Sequence, residues 1–147
     1  MTNYPSRPIQ ILLVEDSLSD IKLISKALNE VSNNYSLEVV SDGVSAIAFL
    51  LREGEYRNCF RPDIVLLDLH LPKKDGLSVL QEIKSDISLS DIPVIMLTAS
   101  NEPKDITECY QKEANCYLTK PSNIQEFKQI IKDLQNFWFQ TVKLPTA

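Results

Sequence analysis

An α/β domain built on a parallel sheet is what this sequence predicts. Short runs rich in aliphatic and β-branched residues alternate five times with segments whose apolar residues recur at three- and four-residue steps. The runs at residues 9–14 and 63–68 are almost continuously apolar, as expected of strands covered on both faces. The segments between the runs can form the helical crossovers that parallel strands require.

The first strand, residues 9–14, is bounded by Pro8 and by the acids Glu15 and Asp16. Ser17 can cap the helix that follows, where Leu18, Ile21, Ile24, Leu28 and Val31 form one stripe before the turn-rich Ser32-Asn33-Asn34. Residues 36–41 make a second strand; Asp42-Gly43 breaks it, and Ala46, Ile47, Phe49 and Leu50 outline a helix that stops near Gly54. Pro62 introduces residues 63–68, the most apolar run, which belongs at the sheet centre. Asp75-Gly76 opens a third helix carrying Leu77, Leu80 and Ile83, and Pro93 precedes a fourth strand at residues 94–97. A fourth helix covers about 104–112, a short fifth strand 116–118, and a final helix runs from 124 to about 139. On that helix Ile124, Phe127, Ile131, Leu134 and Trp138 form a stripe expected to cover the sheet, while Ile130, Phe137 and Phe139 widen the arc beyond one face. Surplus aromatics of this kind mark an association surface, self-association being the simplest; the alternative is a tail folded back over its own domain.

At 147 residues the chain suits one domain, with a core at about 8–136 and a C-terminal extension at about 137–147. The net charge of −5, with Lys and Arg scattered, offers no basic stripe for nucleic acid. No apolar run approaches the roughly 20 residues that cross a bilayer, and the N-terminus lacks a signal pattern, so a cytoplasmic address is expected. Cys59, Cys109 and Cys116 are odd in number and have no metal-ligand spacing, which reads as reduced, packed thiols.

Chemistry concentrates at the strand ends. Glu15 and Asp16 follow the first strand, Asp68 the third, Thr98 the fourth and Lys120 the fifth. A parallel sheet gathers all of them at one rim, where open α/β sheets bind their ligands. Crowded carboxylates repel unless a cation intervenes, and hard oxygen donors suit Mg²⁺. Taken singly, Glu15-Asp16 could cap a helix, Asp68 could form a turn, and Thr98 and Lys120 could be loop residues. Their joint occurrence at successive strand ends favours one composite site.

The segments Ile11-Leu12-Leu13-Val14-Glu15-Asp16, Ile64-Val65-Leu66-Leu67-Asp68 with Leu69-His70-Leu71-Pro72-Lys73-Lys74-Asp75-Gly76, Val94-Ile95-Met96-Leu97-Thr98-Ala99-Ser100 and Tyr117-Leu118-Thr119-Lys120-Pro121 resemble the receiver family of two-component response regulators. The resemblance implies a flavodoxin-like doubly wound (βα)5 fold with strand order 2-1-3-4-5. It makes Asp68 the acceptor of a phosphoryl group from a histidine kinase and Asp16 a Mg²⁺ ligand, with Glu15 acting through water and the His70 backbone carbonyl completing the protein ligands. Thr98 would hydrogen-bond the phosphoryl group, Lys120 would pair with it, and Tyr117 would be the aromatic that turns inward on activation. Pro121 would follow a cis peptide bond; the alternative is a trans proline at the first position of the last helix. The His70 side chain would rim the pocket. The implied protein is a phosphorylation switch, catalysing at most its own phosphorylation and dephosphorylation.

Within that family, the Gly54-Glu55-Tyr56 insertion, the Leu71 to Gly76 loop, Asn115-Cys116-Tyr117-Leu118-Thr119-Lys120 and the terminal Phe137-Trp138 with Val142-Lys143-Leu144-Pro145 resemble cyanobacterial phytochrome response regulators. This narrower resemblance implies a phytochrome histidine kinase as donor, light signalling, and a homodimer through the fourth- and fifth-helix face and the tail. Glu113 departs from the wider family, which usually has Gly there. Two rivals stand beside the switch: a Mg²⁺-dependent phosphatase using Asp68 as nucleophile, which would usually carry an Asp at the place of His70, and a receiver-like interaction module that is not phosphorylated.

Overall fold

The structure is a computed structural model that describes residues 8–31 and 34–145. The N-terminal segment before Pro8, the Ser32-Asn33 turn, the Val31 side chain and the last two residues of the expected extension lie outside the described residues.

The sheet is held by its most apolar strands. β1 (Ile9–Val14) and β3 (Ile64–Leu67) pair in parallel at its centre, flanked by β2 (Tyr35–Val40) on one side and by β4 (Val94–Thr98) and β5 (Cys116–Thr119) on the other. The order is β2-β1-β3-β4-β5, as the resemblance implies. Successive side chains alternate between two cores. Leu12, Val14, Val65, Leu67 and Met96 face α2 (Gly43–Leu50), α3 (Gly76–Ser85) and α4 (Pro103–Gln111), whereas Ile11, Leu13, Ile64, Leu66 and Ile95 face α1 (Leu18–Val31) and α5 (Ile124–Leu134). Doubly covered strands explain the lack of polar alternation in the sequence.

Local chemistry sets the helix starts. Ser17 Oγ accepts from the Asp20 amide at 3.3 Å, Asp42 Oδ1 from Ser45 N–H at 2.7 Å and Asp75 Oδ1 from Ser78 N–H at 2.8 Å. Pro103 opens α4, one residue ahead of the expected start, where its missing N–H costs no helical bond. Gly43 and Gly76 are required by close backbone approach, since a Cβ would come within 2.0 Å of the Lys74 carbonyl oxygen at the first and 2.1 Å of the Asp68 carbonyl oxygen at the second.

The structure settles the turn around Glu113. Its φ is +72°, Glu113 N–H donates to the Tyr110 carbonyl at 3.0 Å and Ala114 N–H to the Cys109 carbonyl at 3.0 Å. These two bonds define a Schellman cap on α4, with Glu113 in the left-handed position where glycine is free and Cys109 packed in the same core as Ala114.

Three expectations change. No peptide bond among the described residues is cis, so Pro121 follows a trans bond. Nor does Pro121 open α5: Asn123 does the turning, its side chain accepting from the amides of Gln125 and Glu126 at 2.8 and 3.2 Å. The last helix ends as α-helix at Leu134 and continues as a wider π-helical stretch over Gln135–Thr141. Phe127, Ile131 and Leu134 are buried, but Ile124 is 58% exposed, because the first turn of α5 rises past the strand tips. Trp138 and Phe139 pack on the α1–α5 core, which leaves Phe137 as the outward aromatic, 54% exposed and edge-on to Trp138.

Candidate functional site

Parallel register brings the strand-end residues together. Val14 is the Cα partner of both Val40 and Leu67, so Glu15 and Asp68 leave neighbouring strands at the same level. The ladder extends one residue past each tip: Glu15 N–H donates to the Val40 carbonyl at 3.0 Å, Asp68 N–H to Val14 at 3.0 Å and Lys120 N–H to Thr98 at 2.7 Å. These bonds fix the backbones of Glu15, Asp68 and Lys120, so only their side chains have freedom at the rim. β1 lies between β2 and β3, the point at which the order reverses.

Carboxylate oxygens of Glu15, Asp16 and Asp68 all lie within 4.8 Å of one another. Glu15 and Asp68 are buried and Asp16 is exposed, so the group opens to solvent on the Asp16 side. Hard oxygen donors packed so closely fit a divalent cation, which would relieve their mutual repulsion. Burial pushes the Glu15 carboxyl up to about 7, against the pull of its Lys120 and Ser17 hydrogen bonds.

Lys120 closes the opposite side. With 7% of its side chain exposed, it directs its ammonium to the Glu15 carboxylate, Asp20 Oδ2 at 2.8 Å and Asp68 Oδ2 at 3.2 Å. Burial alone would lower this ammonium, but hydrogen bonds to Asp20 and Glu15 and the charge of Asp68 hold it above the usual lysine range. The other Asp68 oxygen, Oδ1, accepts from Leu69 N–H at 2.7 Å.

Thr98 is fully buried, and its Oγ1 accepts from Ser100 N–H at 3.4 Å. Tyr117 is half-buried and donates its hydroxyl to the Ser100 carbonyl at 2.8 Å, which ties β5 to the loop that begins at Thr98. Burial raises the Tyr117 phenol. The His70 side chain is exposed. Glu15, Asp16, Asp68 and Lys120 are thus brought together, Thr98 ends the adjoining strand, and Tyr117 contacts the loop after it.

Sequence reasoning missed Asp20. Its place three residues after the cap Ser17 is fully explained by helix capping, and nothing local signals a partner a hundred positions away in the chain.

The chain belongs to the response regulator receiver domain family, whose match covers residues 11–132. It is therefore a phosphorylation switch of the two-component kind, and the family implies a histidine kinase as its partner and a divalent metal at the acidic rim. Response regulator Rcp1 of Synechocystis is 43% identical over 147 residues, with both chains covered completely. The crystal structure of the phosphorylated cyanobacterial phytochrome response regulator RcpA superposes with a TM-score of 0.91 at 47% identity, over 95% of this chain and 99% of that one. The Mn²⁺-bound form of Rcp1 gives a TM-score of 0.91 at 44% identity, over 95% and 100%. Among the described residues no helix is long and apolar enough to cross a membrane.

Proposed function

We propose that Asp68 accepts a phosphoryl group from the phosphohistidine of a phytochrome-type histidine kinase and that the chain carries a light signal to a protein partner. The observation that carries this reading is the Lys120 ammonium joined to both Glu15 and Asp68 at the point where the sheet order reverses. The similarity to Rcp1 and RcpA supports the kinase class.

An Asp68 oxygen attacks phosphorus in line; the phosphorus–nitrogen bond breaks and its electron pair returns to the kinase imidazole. Asp16, Asp68 and the His70 carbonyl would hold Mg²⁺, with Glu15 helping through water, and the ion would supply positive charge to the phosphoryl oxygens. Lys120 follows the negative charge onto the new phosphoryl group. Thr98 donates its hydroxyl to a phosphoryl oxygen, releasing the Ser100 amide it now accepts from. That shift moves the loop whose Ser100 carbonyl Tyr117 bonds, so Tyr117, packed against the core on the α4 side, acts as the switch aromatic that carries the change outward.

The output is contact with protein. Tyr110 on α4 and Ile124 and Phe137 on the last helix are exposed, and they support a homodimer through the α4–α5 face and tail. The acidic balance supports a protein that acts away from nucleic acid and membrane surfaces. Intact-mass measurement after incubation with Mg²⁺ and a small phosphodonor tests the acceptor: one phosphoryl group is gained by the wild type and none by Asp68→Asn. Sustained turnover of a phosphoester would instead support a phosphatase. Sizing chromatography of the same samples tests the dimer.

A further inference from the structure

An acidic residue three positions into a helix ordinarily reaches back to the amide of its own cap. At α1 that amide is already taken, because Ser17 N–H donates to Glu15 Oε1 at 3.0 Å. The Asp20 carboxylate turns instead to Lys120 Nζ, at 2.8 Å against 3.2 Å for Asp68. An ammonium has three donors, and Lys120 directs them to the three carboxylates of Glu15, Asp20 and Asp68. Glu15 and Asp68 also belong, with Asp16, to the oxygen group that suits a divalent cation, and Asp20 does not. A cation and Lys120 therefore compete for the same two carboxylates. With 7% of its side chain exposed, Lys120 cannot simply retreat into water, and a buried ammonium without a partner is costly.

We propose that Asp20 is a positioning residue: it holds the Lys120 ammonium when Glu15 and Asp68 turn to a divalent cation, so that both positive charges occupy the rim together. Asp20 suits that task because it stands outside the oxygen group that suits the cation and its α1 backbone is fixed by the Ser17 cap. Lys120 then stays beside Asp68, ready for the phosphoryl group, without displacing the cation. This inference rests on the assignment of Glu15, Asp16 and Asp68 to the cation.

Mn²⁺ affinity, read from the free-ion electron paramagnetic resonance signal, tests it in a double-mutant cycle of wild type, Asp20→Asn, Lys120→Met and the double variant. Asp20→Asn is expected to weaken Mn²⁺ binding by about 3- to 30-fold, within the range for groups in contact, and by less than about twofold when Lys120 is already Met. Asp20→Glu restores the affinity. An equal loss in both backgrounds would reduce Asp20 to a charge acting at a distance and overturn the proposal, as would no loss at all. A second readout is the Lys120 ammonium signal in nuclear magnetic resonance: on Mg²⁺ addition it persists in the wild type and is lost to solvent exchange in Asp20→Asn. Persistence in both would also overturn the proposal. Thermal melting confirms that each variant is folded. A wild type that binds no Mn²⁺ removes the underlying site assignment as well, whereas a normal wild type with an uncoupled Asp20 removes this inference alone.

Discussion

Lys84 and Lys120 are both drawn in from solvent, at opposite ends of one sheet, and their partners differ in charge. Lys84, on α3, reaches the N-terminal ends of the outer strands, where it bonds the carbonyls of Ser90 and Ile92 at 3.2 and 3.0 Å and Asn115 Oδ1 at 3.0 Å. The same Asn115 oxygen accepts from Val94 N–H at 2.9 Å, and Asn115 N–H donates to the Val94 carbonyl at 3.0 Å, so the ammonium fastens the starts of β4 and β5. Burial lowers Lys84, with Glu113 and Asp91 pulling it back up. Lys120, at the C-terminal rim, is held by carboxylates that raise it. The neutral oxygens around Lys84 have no net charge with which they can draw in a second cation, so Lys84 is a fixed fastening. Carboxylates can, so Lys120 sits where charge is able to move.

Exchanging the two lysines for Met separates these roles most sharply. Lys120→Met is expected to slow phosphoryl incorporation by about a hundredfold, as removal of a charge-stabilising donor does elsewhere, while Lys84→Met leaves the rate within about twofold in the same intact-mass time course. Stability reverses the order of interest. Lys84→Met strands two carbonyls and should lower the unfolding free energy by about 1–2 kcal/mol in urea titrations, a charged hydrogen-bond value discounted for partial exposure. A Lys84 variant with normal stability but slow phosphorylation would erase the distinction.

Acid titration separates the two ends by pH. Because burial raises Glu15 from 4.5 to about 7, the folded chain holds more proton than the unfolded one between those values. The Glu15 contribution to stability therefore falls as pH climbs through that window. A divalent cation must displace the same proton, so Mn²⁺ affinity should rise between about pH 6 and 8 and then level off, and Glu15→Gln should flatten that part of the profile. The smallest effect belongs to the turn beside Lys84: Glu113→Gly relieves a left-handed residue with φ of +72° and should gain about 0.5–1 kcal/mol in thermal unfolding, less whatever attraction to Lys84 is lost.

Residue type at the strand ends was enough to place Glu15, Asp68, Thr98 and Lys120 at one rim, because parallel pairing carries every strand's last residue to one edge. Strand order needed more than periodicity. The apolar runs say only that β1 and β3 are covered on both faces, and the arrangement 2-1-3-4-5 came through the resemblance to receivers. Asp20 escaped notice because its local pattern is complete without Lys120. Ile124 shares the helical spacing of Phe127 and Ile131, but spacing cannot tell where the sheet stops. The seven-residue π-helical stretch over Gln135–Thr141 was equally hidden: Trp138 faces the core as its spacing predicts, and the wider winding brings Phe139, five residues after Leu134, to the same side while Phe137 faces out.

Gly43 and Gly76 touch the loop after Asp68 backbone against backbone, with 2.0 and 2.1 Å where a methyl group would have to sit. Side chains can rotate to absorb a displacement; peptide planes in contact cannot. The start of α3 is thereby mated to the Asp68 carbonyl and the start of α2 to the Lys74 carbonyl, a joint with no slack. Helix openings usually accept many residues, yet at these two even alanine would wedge the joint apart.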